Sequence, residues 1–416
     1  MCWHLLSPDG SAPDSRVEEI QGMYGSYSFP EKLLQKIWLR GNFDRDGMCT
    51  TDGRRVELRH PGKWNLLGGP DFKGAKLKFD GGHEVIGDVE LHLYVDGWDA
   101  HGHAEDPAYD QVVLHVVLFP PEVKHASRGA RRAIPVVALL PLLHHDLEQY
   151  AAEDALETLA NRPVSRIHEA LGPLSSAELD SLLRKHAAAR WQQKVHFARL
   201  RLQRLGWAAS CHHAALDILG YRFNRAPMLR IAGAHSLEQW ARGAVDVDAI
   251  VTTEAKSWSM QGVRPANHPR IRLQQYAAWC RANPTWPAKL SAIAPTLPVI
   301  ALEIPSGPTR RKHGFGRLRA QLAAEVSADA VHGTRFDNLI CDGFLPLLAA
   351  EGGTDLSALW FHWYAGDVPP SLVRALRALG VVNGRVQPFT HGLGQGLLGW
   401  LLDQEEHGSR NRWSNA

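Results

Sequence analysis

Cysteine is sparse and widely scattered. Cys2, Cys49, Cys211, Cys280 and Cys341 stand far apart in a chain of 416 residues, in none of the short spacings that hold zinc or staple a small secreted domain. The spacing predicts neither a disulfide framework nor a cysteine zinc site. No apolar run reaches about 18 residues, and the opening MCWHLLSPDGSAPD has no basic segment followed by an apolar one. Membrane spans and a secretory leader are therefore not expected, and a soluble cytoplasmic protein is. The GxGxxG and Walker phosphate loops and the GxSxG nucleophile elbow are also missing, which removes dinucleotide-binding and serine-hydrolase readings. Internal repeats and low-complexity tracts are absent. Bulk charge is absent too: net charge is +2, with 44% hydrophobic and 22% charged residues, an ordinary globular balance. The length suits two or three domains.

What is present is a concentration of acids and imidazoles on strand-like backbone between residues 70 and 118. From Gly87 to Val95 the side chains alternate, so Val89, Leu91, Leu93 and Val95 take one face of a strand and Asp88, Glu90 and His92 the other. Ala75, Leu77 and Phe79 alternate with Lys76 and Lys78 in the preceding run, and Asp80-Gly81-Gly82 supplies the turn of a hairpin. Asp71 opens that hairpin after Pro70, across the pair from Glu90. Val112 to Phe119 is nearly all apolar around His115, as expected of a strand covered on both faces. The stretch from Asp96 to Asp110 is long enough for a crossover between parallel strands. Trp98, His101, His103, Asp106 and Tyr109 lie in it as a turn-rich cap.

Upstream, Ser28, Pro30 and Glu31 read as a helix start, with Leu33, Leu34, Ile37 and Trp38 as its apolar stripe and Gly41 as its end. Short strand-like pieces follow over Met48 to His60 around Asp52-Gly53, and Ile134 to Leu140 is one further strand. Residues 21–145 thus form an α+β domain, a mixed sheet with a flanking helix. From about 150 the periodicity turns helical, and 150–404 is a basic, mainly α-helical domain.

Pro70-Asp71, a hairpin, Glu90-x-His92, a crossover and a buried strand together resemble the core of the PD-(D/E)XK nuclease superfamily. That resemblance implies a metal-dependent nuclease in which Asp71, Glu90 and His92 are catalytic and Asp71, Glu90 and Asp88 hold magnesium or manganese at a scissile phosphate. His92 stands where the superfamily usually has Lys, and its unperturbed pKa near ~6.5 suits a general base or a metal ligand. Helices in this position sometimes add an acid to the site, which makes Glu31 a second-shell candidate, although a capping box already accounts for it. His101, His103, Asp106 and His115 are further second-shell candidates. The phrases YGSYSFPEKLLQKIW, GPDFKGAKL and GDVELHL also resemble a bacterial family of proteins of unknown function, over most of the chain. Other readings stand beside the nuclease. One is a nucleic-acid-binding module with a degenerate nuclease core. Another is a metallohydrolase on a small substrate, built from His92, His101, His103, Asp106 and His115, whose imidazoles suit zinc. A third makes Asp88, Glu90 and His92 merely the solvated face of a strand.

Charge points to a partner. Residues 151–330 hold 24 Lys and Arg against 14 Asp and Glu, a surplus of ten that leaves the rest of the chain eight negative. Between Arg184 and Arg230 ten basic residues meet a single acid, Asp217. Arg184, Lys185, Arg190, Lys194, Arg199, Arg201 and Arg204 of that run, with Arg264, Arg270 and Arg272 of a Pro-punctuated loop opening a helix, are the candidates for phosphate contact; the alternative is a solvated helix face. The expected partner is nucleic acid, and no membrane.

Overall fold

Alternation in the first third of the chain becomes strands, and the register follows from the turns. In a computed structural model, described over residues 31–413 apart from 42, 66–67, 122–125, 129–132, 144–146, 148–149, 152–163, 222–223, 256–257, 259–264, 301–304 and 369, the chain divides into two units at Ala151/Ala152. The Ser28 cap, the N-terminal arm and Arg264 lie outside the described residues.

The described residues of unit one open with helix α1 (Glu31–Arg40), whose Leu33, Leu34, Ile37 and Trp38 are buried as their i, i+1, i+4 spacing requires. Strands β1 (Val56–His60), β2 (Lys63–Trp64), β3 (Phe72–Phe79), β4 (Glu84–His92), β5 (Val112–Val117), β6 (Ala126–Arg128) and β7 (Ala133–Ala138) form one mixed sheet in the order β1-β3-β4-β5-β7-β6, with β2 beside β3. The β3–β4 hairpin is antiparallel and turns at Asp80 and Gly81, both at positive φ. Strands β4 and β5 run parallel, with Glu90 opposite His115, and β5 and β7 are parallel as well. The crossover between β4 and β5 is not a regular helix: it holds only the single turn α2 (Gly97–Ala100) and a 3-10 turn at Pro107–Tyr109. Two details differ from the sequence reading. Strand β4 ends at His92 rather than Val95, because the chain bends away there into the crossover. Cys49 is disulfide-bonded although its spacing predicts no bridge, since separation along the chain does not limit separation in space.

Unit two is helical. Its longest element is α3 (Ser176–Leu219), opened by the capping box in which Ser175 and Glu178 exchange hydrogen bonds. Gly206 interrupts it at φ 72°, ψ 175°, a conformation open to glycine, so two helical stretches meet at a break. Helices α4 (Pro269–Ala282), α5 (Gly333–Asn338) and α6 (His391–Trp413) matter below; a π-helical turn, Leu339–Phe344, follows α5 directly. The core is a cluster of Leu, Ile and aromatic side chains that includes fully buried Trp240, Trp279, Trp286, Trp360 and Trp363. The α+β class with a helical C-terminal region is thus the observed architecture. No helix among the described residues is long and apolar enough to cross a membrane.

Candidate metal centre

Where β3 begins opposite Glu90 on β4, two carboxylates clasp each other's backbones. The Asp71 amide donates to Glu90 Oε2 at 2.9 Å, and the Leu91 amide donates to Asp71 Oδ2 at 3.0 Å. Gln35 on α1 donates to Asp71 Oδ1 at 2.6 Å while accepting from Trp64 Nε1, so the helix fixes the carboxylate's orientation. Glu31, one turn earlier on α1, accepts from the Leu93 amide and lies within electrostatic range of both acids. Burial, and for Asp71 the charge of Glu90, push Asp71 and Glu90 far above the usual carboxylate range, and burial raises Glu31 as well. Three acids share one corner of the sheet, with Lys73 the cation in electrostatic range of Glu90.

Imidazoles close the other side. Asp88, Glu90 and His92 do share one face of β4, but all three are buried, at 8%, 6% and 1% exposure, so the face is not solvated. His92 Nδ1 lies 2.9 Å from His115 Nε2 and its Nε2 lies 3.1 Å from His101 Nδ1. The tautomer that donates from Nδ1 to His115 leaves the Nε2 lone pair facing His101 and, at 3.7 Å, Glu90 Oε1. His103 Nε2 is 3.3 Å from the same Glu90 oxygen but off the direction of a hydrogen bond, and it has no hydrogen-bond partner. Its ring stacks on Tyr109 with centroids 3.8 Å apart, and Trp98 underlies His103, Tyr109 and His115. The crossover passes so close to His92 that a Cβ on Gly97 would meet its ring at 2.7 Å. Burial, with help from His101 and His103, pushes the His92 pKa down to about 3, and burial lowers His103 too, so both rings are neutral and keep their lone pairs. One ligand atom each from His92, His101 and His103 fits within 4.8 Å of the others. Neutral imidazoles and charge-starved carboxylates are what a divalent cation needs, so the donor set fits a metal.

Residues 31–251 match a family model described as "Protein of unknown function (DUF2851)". The chain belongs to this family. No curated protein and no solved structure matches it. The DUF2851 match takes in the whole cluster from Glu31 to His115 and all of α3.

The remaining candidate residues of this DUF2851 member are distributed unevenly. Asp88 accepts from Lys73 Nζ at 2.9 Å and from the Gly74 amide at 3.0 Å, so it is neutralised at the edge of the site. Asp106 caps the 3-10 turn through the Ala108 amide. Among the basic residues, Arg184 pairs with Asp180, Lys194 with Asp342 and Arg201 with Asp217, while Arg190 is buried against Gln193 and Gln395. Arg204 is half-buried, and Lys185 and Arg199 are exposed. Arg270 is exposed beside Asp248, and Arg272 turns inward. Sequence reasoning missed Gln35 and Lys73. Gln35 lies on the polar flank of an amphipathic helix, where nothing marks it. Lys73 is a signal in plain view, a basic residue two positions after Asp71, but the residue that meets it is Asp88 on the next strand.

Proposed function

We propose that this chain is a metal-dependent nuclease that hydrolyses phosphodiester bonds of DNA or RNA at Asp71, Glu90 and His92. The observation that carries the reading is the clasp of Asp71 and Glu90, a half-buried carboxylate just before β3 and a buried one on β4. The order of elements supports it: a helix, three antiparallel strands, a crossover and a parallel strand are what a PD-(D/E)XK-like core asks for. Asp71 and Glu90 would hold magnesium or manganese, with Glu31 and Asp88 at its margin. Such an ion, when bound, polarises a phosphoryl oxygen and acidifies water. His92, kept neutral and oriented by His115, is placed to accept a proton. Lys73, which lowers the pKa of Glu90 by its charge, supplies the fixed cation that His92 does not. Lys185, Arg199 and Arg270 remain as exposed cations for phosphate contact.

The test is hydrolysis of single-stranded and duplex DNA and of RNA by the full chain with Mg²⁺ or Mn²⁺, against EDTA. Asp71→Asn and Glu90→Gln are expected to lose on the order of 10²- to 10⁴-fold in rate, and His92→Ala a similar factor. No cleavage above the EDTA blank sinks the reading; binding without cleavage would leave a degenerate nuclease core. One observation favours a second reading. The convergence of His92, His101 and His103 suits zinc, and a metallohydrolase on a small substrate follows if purified protein retains zinc that His101→Ala loses and Asp71→Asn keeps.

A further inference from the structure

Two arginines in the helical unit are buried with too little negative charge around them. Helix α4 begins at Pro269, capped by His268, which accepts from the Arg270 amide. Arg270 and Arg272 are two positions apart and so take different faces. Arg270 points to solvent and pairs with Asp248, whereas Arg272 is only 6% exposed. The Arg272 guanidinium donates from Nη1 to Gln275 Oε1 at 2.8 Å and from Nη2 to Asn267 Oδ1 at 2.5 Å, and its buried Nε has no partner. Both acceptors are neutral amides. Among the described residues no carboxylate touches this charge.

Arg335 on α5 is equally buried. It donates to the Ile218 carbonyl at 3.2 Å and to Asp367 Oδ2 at 2.6 Å, lies over the Tyr221 ring at 4.4 Å, and also has a buried Nε without a partner. Arg272 and Arg335 are within electrostatic range of each other, and burial followed by that repulsion lowers Arg272 to about 10. Among the described residues Asp367 is within range of both, and Arg335 already holds it, together with the Thr334 hydroxyl. The other acids nearby are matched as well: Asp342 by Lys194 at 3.1 Å and Asp217 by Arg225 at 2.6 Å. Among the described residues one positive charge is left over in the interior, and an uncompensated buried charge is strongly unfavourable.

We propose that Arg272 and Arg335 form an anion-binding site in the helical unit, and that its ligand is a phosphate group. The surroundings supply donors: two Nε–H groups without a hydrogen-bond partner, and beside Arg272 the amide nitrogens of Asn267 and Gln275, whose oxygens already face the guanidinium. A tetrahedral dianion with several acceptor oxygens satisfies such a set, and guanidinium groups match phosphate in charge and geometry. The site is independent of the reading of Asp71 and Glu90.

The test is calorimetric titration of the full chain with inorganic phosphate at constant ionic strength in EDTA, which separates it from metal-dependent hydrolysis. Saturable binding at one site per chain is expected. Arg272→Met is expected to weaken it about 10- to 100-fold, the worth of a hydrogen bond to a charged group. Asn267→Asp sets a carboxylate beside Arg272 Nη2, so it is expected to abolish phosphate binding and to raise the melting temperature in phosphate-free buffer, which keeps the test valid if Arg272→Met does not fold. Displacement of phosphate by a 5′-phosphorylated but not a 5′-hydroxyl oligonucleotide would name a nucleic-acid end as the source, and displacement by neither a free phosphate; both support the site. An absence of saturable binding by the parent, or undiminished binding by Asn267→Asp, overturns it.

Discussion

His212 in the helical unit and His103 in the N-terminal unit are both buried, at 2% and 8% exposure, yet their ring nitrogens meet opposite fates. His212 Nδ1 lies 2.5 Å from the Tyr276 hydroxyl and its Nε2 lies 2.8 Å from the His235 carbonyl, so donor and acceptor are both satisfied. His103 Nε2 has no hydrogen-bond partner and lies 3.3 Å from Glu90 Oε1, beside His92 and His101. A buried polar atom without a partner costs free energy, so it persists where something other than folding stability requires it. The contrast separates a histidine whose ring nitrogens are both satisfied from one whose Nε2 is not. Charge differs as well: acids gather in the N-terminal cluster, whereas Arg272 donates to two neutral amides.

The largest expected effect tests the satisfied histidine. Burial pushes the His212 pKa down to about 4, below the ordinary 6.5. The unfolded chain therefore binds a proton that the folded chain refuses as pH falls. Stability from this residue is complete above pH 6.5 and is lost between about 6.5 and 4, on the order of 3 kcal/mol in all. Urea-unfolding midpoints measured across that window should fall more steeply for the parent than for His212→Phe, and parallel curves would break the comparison. A smaller effect is expected at the unsatisfied histidine. His103→Phe keeps the stack on Tyr109 and removes a partnerless nitrogen, so stability in EDTA should change by less than about 1 kcal/mol. Affinity for Mn²⁺ or Zn²⁺ should nevertheless fall at least about tenfold. If His103→Phe leaves metal affinity unchanged, the ring is core after all. The smallest effect sharpens the charge contrast. Arg270→Ala removes an exposed pair with Asp248 and should shift the melting midpoint by less than ~0.5 kcal/mol in equivalent stability.

Much of the fold was legible in residue order because the signals are local. Period-two alternation marked β3 and β4, and Asp80-Gly81-Gly82 marked the turn between them. Part of the site was legible for the same reason. Asp71 and Glu90 stand at positions that an antiparallel hairpin brings opposite each other, whatever else the chain does.

Tertiary structure decided everything that depends on what covers a face. Alternation put Asp88, Glu90 and His92 on one side of β4 but did not say whether water or protein lay above; the crossover, with Gly97 against His92 and Trp98 beneath His115, buries it. The crossover also brings His101 and His103 to His92, a closure through a turn-rich loop with no periodicity to read. Glu31 and Gln35 reach the acids because α1 packs on the sheet, a contact between elements that share no local pattern. Composition likewise counted Arg270 and Arg272 as equal charges in one basic loop. Helix geometry and the packing of α4 set one in water and one in the interior, where burial, not residue type, determines what a charge requires.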